Sequence, residues 1–171
     1  LRLSLLAEHG GMWLDATFFC TDSAMLDSYF KEPIWSIKRP DYGHASVACG
    51  YFAGYSLACN EASRFAFITI RDFFLNYWKY NDTMVDYLMI DYMIVLAQKY
   101  DSRIAKLFET IKPNNPECDE LIKVLNQPFD SEKWNDLKCK TSLFKLSWKQ
   151  KYTEEKDGKL TFYKYLVDEK L

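Results

Sequence analysis

Histidine is nearly missing from this chain, and its cysteines follow no metal-binding or disulfide spacing. With two histidines, His9 and His44, and no CxxC pair, nothing encodes a zinc site. Five cysteines, an odd number, do not make a disulfide framework. Cys20, Cys49 and Cys59 sit among apolar neighbours and read as small core residues, which fits a reducing cytoplasm. No apolar run reaches the ~18 residues of a membrane span. The longest, Tyr87 to Ala97, is short and interrupted by Asp91. A formal net charge of -2 gives no global field to recruit nucleic acid. Signal-peptide pattern, internal repeat, low-complexity tract and obvious linker are all missing. So is an opening Met: Leu1 to His9 already reads as a helix in progress, which predicts a fragment lacking its N-terminal part.

What is present is enough for one packed domain. Hydrophobic residues are 49% and aromatics 17% of 171 residues, far from a disordered composition. The main charge asymmetry is local. Lys133, Lys138, Lys140, Lys145, Lys149 and Lys151 share their stretch with a single acid, Asp136. Such a face is either solvated or turned toward a phosphate or an anionic membrane surface.

The most informative stretch is Gly10-Gly11-Met12-Trp13-Leu14-Asp15-Ala16-Thr17. Leu3, Leu6 and Ala7 form one face of a preceding helix, which the glycine pair can end because glycine tolerates left-handed dihedrals. Met12 to Cys20 is apolar apart from Asp15 and Thr17, as in a strand buried on both faces. An ionised carboxylate there is costly unless it is paired, coordinated or facing a cleft at a strand end. Asp15 therefore either serves a site or caps a turn.

Further on, Asp22-Ser23 caps a short helix to Phe30, and Ile34 to Lys38 alternates as a strand ended by Pro40. Asp41 to His44 is a loop. Ser46 to Ala53 is a strand candidate, with Gly50 and Gly54 permitting close backbone approach. Asn60 caps a helix over Glu61 to Tyr80 whose apolar residues nearly encircle it, predicting burial. Asp82 or Thr83 caps a helix over Met84 to Tyr100. Its interior acids, Asp86 and Asp91, stand about 140° apart and cannot share a face. A third helix starts at Asp101 and gives way to a loop by Pro116. Glu117 to Leu125 is a helix, Thr141 to Trp148 a strand and Phe162 to Leu171 an amphipathic helix.

These segments, in this order, resemble the capsular polysaccharide synthesis family of bacterial glycosyltransferases, relatives of GT-A transferases with a GG-aromatic-x-Asp-x-Asp signature. Leu1-Arg2-Leu3 and Gly10 to Thr17 carry the likeness. It continues through Ile34 to Arg39, Gly50-Tyr51-Phe52, Arg71 to Phe74, Asp86 to Tyr92 and Phe144 to Lys149. The resemblance implies an α/β GT-A-like fold. Residues 1–171 would be its C-terminal catalytic portion, without the N-terminal nucleotide-binding βαβ portion. It implies transfer from a nucleotide-sugar donor to a saccharide or lipid-linked acceptor, in the cytoplasm, with peripheral contact at the inner membrane face. Asp15 matches the first acid of the signature and would contact the donor or help hold a metal, with Gly11 beside it. Arg2 falls where relatives place an arginine on the adjoining helix, although a surface arginine of a terminal helix fits equally. Ser147 and Trp148 match an element that closes over the donor diphosphate; packed in a core, Trp148 would be merely structural. Asp86 or Asp91 would face the acceptor as a base or a hydroxyl acceptor. Where metal-dependent relatives carry a second acid stands Thr17, a poor ligand for magnesium or manganese, which argues against a divalent cofactor. Lys145 and Lys149 would then supply positive charge. The alternative is a degenerate, non-catalytic carbohydrate-binding or assembly module.

Overall fold

A computed structural model describes residues 1–40 and 46–170 of the chain. In order, the elements are α1 (Arg2–His9), β1 (Gly11–Leu14), β2 (Phe18–Cys20), α2 (Ser23–Phe30), β3 (Ile34–Ser36) and β4 (Ser56–Cys59). After a 3-10 turn at Glu61–Ser63 come α3 (Arg64–Tyr80), α4 (Met89–Tyr100), α5 (Ser102–Glu109), α6 (Leu121–Val124) and α7 (Ser131–Lys140). The chain ends with β5 (Leu143–Lys145), β6 (Glu155–Lys156), β7 (Lys159–Leu160) and α8 (Phe162–Lys170). The class is mixed α/β with small sheets, and every paired strand among the described residues is antiparallel. By internal contacts the chain divides into two compact units, Leu1–Asp15 with Ala24–Asn114 and Ala16–Ser23 with Asn115–Leu171. The expected loop at Asp41 to His44 lies outside the described residues.

In the first unit, β4 is the central strand of a sheet ordered β1-β4-β3. Helix α1 packs on α3, and Leu3, Leu6, Leu57, Phe67, Ile70, Ile94 and Ile104 form the core with their neighbours. The glycine pair ends α1 as expected. Gly10 has φ 66°, its N–H donates to the Leu6 carbonyl at 2.9 Å, and Gly11 has φ 83°. A Cβ on Gly10 would stand 3.0 Å from the Cys59 carbonyl oxygen.

Several expectations are corrected here. Met12 to Cys20 is not one doubly buried strand. It breaks at Asp15 to Thr17 into β1 and β2, both half-buried, and β1 is an edge strand of its sheet, paired with β4 on one side. Ser46 to Ala53 is a pair of turns, because Cys49 and Gly50 in succession take φ 46° and 74°. Gly50 does support a close approach, since a Cβ there would meet the Arg39 carbonyl. Asn60 accepts the Ser63 N–H at 3.2 Å, as its capping role requires. Helix α3, however, buries only Ala66, Phe67 and Ile70 and leaves Leu75 and Trp78 exposed. Helix α4 starts at Met89 rather than Met84, because the Asp86 carboxylate takes the Leu88 N–H at 2.6 Å and holds a turn instead.

In the second unit, β2 pairs with β5, with Phe18 opposite Lys145. Leu121, Trp134, Phe144 and Phe162 lead a separate core, with Phe19 packed against it. Asn115, at φ 47°, accepts three hydrogen bonds on Oδ1, from the Ser142 N–H (3.0 Å), the Ser142 hydroxyl (3.2 Å) and the Leu143 N–H (3.0 Å).

Candidate functional site

In the first unit, Arg2, Asp15 and Asp91 come together around the end of β1. Trp13 and Asp15 are two residues apart, so an extended chain sends both side chains the same way. Accordingly, Trp13 Nε1 donates to Asp15 Oδ1 at 3.0 Å. Arg2 Nη2 reaches the same oxygen at 3.1 Å, and its guanidinium lies over the Trp13 ring, 5.2 Å from the centroid. Arg2 is therefore not a loose terminal side chain. The Asp15 side chain is 31% exposed and the Arg2 side chain 26%.

A tight turn over Ala53 to Ser56 holds the rest of the cluster. Its Tyr55 carbonyl accepts the Asp15 N–H at 3.0 Å, and its Gly54 carbonyl accepts from Arg2 Nη1. The Gly54 N–H donates to the Asp91 carboxylate. A Cβ on Gly54 would lie 2.7 Å from Ile90 Cγ2 and closer still to Asp91 Oδ1, so this backbone approach requires glycine. The turn is pinned in turn by Ser36, whose buried hydroxyl accepts the Ala53 N–H at 2.8 Å. Asp91 is only 7% exposed, and burial pushes its carboxyl up to about 6 against the opposing pull of the Gly54 N–H and Arg2.

Asp91 thus joins Arg2 and Asp15, whereas Asp86 is an exposed residue outside α4 that caps its own backbone. Gly11 contributes backbone alone, paired with Cys59. In the sequence, Gly54 is marked only by its capacity for close backbone approach, and Trp13 has no role of its own. The two-residue spacing of Trp13 and Asp15 was the signal for the latter.

The second unit groups other expected residues along β2 and β5. Lys145 Nζ donates to Thr17 Oγ1 and lies 5.5 Å from the Phe18 ring centroid. The Leu146 N–H donates to the Thr17 carbonyl at 2.8 Å. Ser147 Oγ accepts the Lys149 N–H at 3.2 Å, and Tyr152 OH donates to the Ser147 carbonyl at 2.6 Å. Trp148 is 80% exposed, so it is not a core residue, and Lys149 Nζ lies over its ring at 5.6 Å.

The Thr17 hydroxyl is already engaged by an ammonium group, and one Asp15 oxygen already accepts from Arg2 and Trp13. Among the described residues, no group of three or more His, Cys, Asp and Glu side chains could hold a metal ion.

The family model described as capsular polysaccharide synthesis protein matches residues 1–166. The chain belongs to that family. No curated protein and no solved structure matches it. The capsular polysaccharide synthesis family name points to a part in making that polymer. In this member, no helix among the described residues is long and apolar enough to cross a membrane.

Proposed function

We propose that this chain acts in capsular polysaccharide synthesis as a glycosyltransferase of GT-A type, moving a sugar from a nucleotide-sugar donor to a saccharide or lipid-linked acceptor. One observation carries the reading: the half-exposed Asp15 carboxylate at the end of β1, oriented by Arg2 and Trp13. A carboxylate fixed by two donors loses little entropy when it accepts sugar hydroxyls, and preorganised acceptors of that kind discriminate strongly for hydroxyl-bearing ligands. Asp91, nearly buried behind Gly54, positions Arg2 and the turn rather than touching substrate. Asp86, the exposed acid of the pair, is assigned to the acceptor side. Within the second unit, Lys145, Lys149 and the Ser147 hydroxyl have the chemistry to bind phosphate oxygens. No step is routed through a divalent metal.

The test is turnover of a panel of nucleoside-diphosphate sugars, with and without saccharide acceptors, followed by release of the nucleoside diphosphate. Asp15→Asn should cost on the order of 100-fold, and EDTA should leave the rate unchanged. Undiminished turnover by Asp15→Asn would refute the assignment, and abolition by EDTA would refute its metal-free part. The degenerate-module reading has one observation in its favour, Thr17 at the second acid position. It predicts no turnover by the native chain, together with donor binding that becomes metal-dependent in Thr17→Asp.

A further inference from the structure

The first unit leaves an unusual share of its large apolar side chains in water. Of eighteen exposed large hydrophobic residues among those described, ten lie between Leu75 and Tyr100. Four of them, Leu88, Tyr92, Leu96 and Tyr100, recur every fourth residue along α4 and its entry, and so form one ridge. The opposite side of α4, with Ile94 and Ala97, faces the core, so the ridge is a second apolar face on the same helix. Apolar exposure concentrated in one stretch of chain points to an interaction surface.

Area and charge identify what covers it. Tyr80, Tyr87 and Tyr100 are 80%, 89% and 76% exposed, which amounts to roughly 500 Å² of residue surface. Leu88, Tyr92 and Leu96 extend the exposed apolar surface along the ridge, toward the ~800 Å² per partner of a standard interface. Its two ends carry opposite charge. Asp82 and Asp86 are exposed before α4 and leave that end negative even with Lys79 nearby, while Lys99 is exposed at the far end. A membrane-binding patch is normally ringed by lysine and arginine, and an anionic surface would be repelled by Asp82 and Asp86. A surface that is apolar along its length and opposite in sign at its ends complements itself when turned about a two-fold axis.

We propose that the α4 ridge is an interface with a second copy of this chain, related by a two-fold axis passing between Tyr92 and Leu96. The two α4 helices then run antiparallel, and Tyr92 of one copy packs on Leu96 of the other. The Asp82 end of each copy adjoins the Lys99 end of its mate.

Sedimentation over a concentration series tests this with the native chain. A reversible dimer is expected, and Leu96→Glu, at a half-exposed site whose loss leaves circular dichroism intact, should give a monomer throughout. Lys99→Glu should weaken the dimer about fivefold through two symmetric contacts, and adding Asp82→Lys in the same chain should restore it. A native chain that stays monomeric, or a dimer indifferent to both Leu96→Glu and Lys99→Glu, would overturn the proposal. So would co-flotation of the native monomer with phosphatidylglycerol vesicles that Leu96→Glu abolishes, since the ridge would then meet lipid.

Discussion

Replacing Asp91 by asparagine removes a buried charge while keeping the shape of the side chain. The asparagine carbonyl can still accept the Gly54 N–H, so the variant imitates the protonated form of the native residue. In the folded chain the Asp91 carboxyl is raised from 3.8 to about 6, chiefly by burial. Because the folded value lies above the unfolded one, the group's contribution to stability is full below pH ~4. It declines as pH rises and levels off above pH ~6. At 1.36 kcal/mol per unit, the ionised form costs about 2–3 kcal/mol at pH 7, the lower figure allowing for residual solvent screening. Asp91→Asn should therefore match the native chain near pH 4 and exceed it by about 2 kcal/mol at pH 7. Urea unfolding of both proteins at half-unit pH intervals, followed by circular dichroism, measures the difference. A stability gap that does not change with pH, or an asparagine variant less stable at pH 7, would refute the argument that desolvation dominates at this site.

Gly54→Ala should cost about 1–3 kcal/mol, because its Cβ would be forced against Ile90 and Asp91. That cost should shrink in the Gly54→Ala, Asp91→Ala double mutant, a non-additivity that a mutant cycle detects. Asn115→Ala should cost about 2–4 kcal/mol, measurable by urea unfolding, since it unpairs buried N–H groups of Ser142 and Leu143 at a left-handed position. Cys59 is buried and its thiol is pushed up to about 11, so it should resist iodoacetamide in the native chain. Exposed Cys139 should alkylate readily, which intact-mass and peptide analysis would show.

Local signals in the sequence located the parts of the fold that obey local rules. Gly10 and Gly11 ended α1, Asn60 capped its helix and Gly54 marked a close backbone contact, because each effect depends on a few neighbouring residues. Tertiary and side-chain competition accounts for the failures. The apolar run after Met12 gave no hint of a break at Asp15, because strand hydrophobicity looks alike at a sheet edge and at its centre. Met84 to Leu88 has helical composition, yet Asp86 bonds its own backbone and delays α4. Helix α7 went unread because its lysines mask the two core residues it buries, Trp134 and Leu137. Its start is nonetheless a clear cap, with Asp130 accepting the Glu132 and Lys133 N–H groups at 2.9 and 3.0 Å. The β6–β7 hairpin was also missed, although Asp157-Gly158, at φ 53° and 70°, is the dipeptide such a two-residue turn favours. For the candidate site, Asp15 stood out as the first acid of an apolar run. The nearness of Asp91 to Arg2 gave no local signal, because both are held through the Gly54 turn, some forty residues before Asp91.

The Asp15 carboxylate is the proposed ligand for the donor, and every other assignment follows from it. Calorimetric titration of the native chain and of Asp15→Asn with nucleoside-diphosphate sugars measures that role apart from turnover. The account predicts saturable binding of at least one donor by the native chain, weakened at least about tenfold in Asp15→Asn, with unfolding midpoints that agree. Equal affinity for every donor in the two proteins would contradict it.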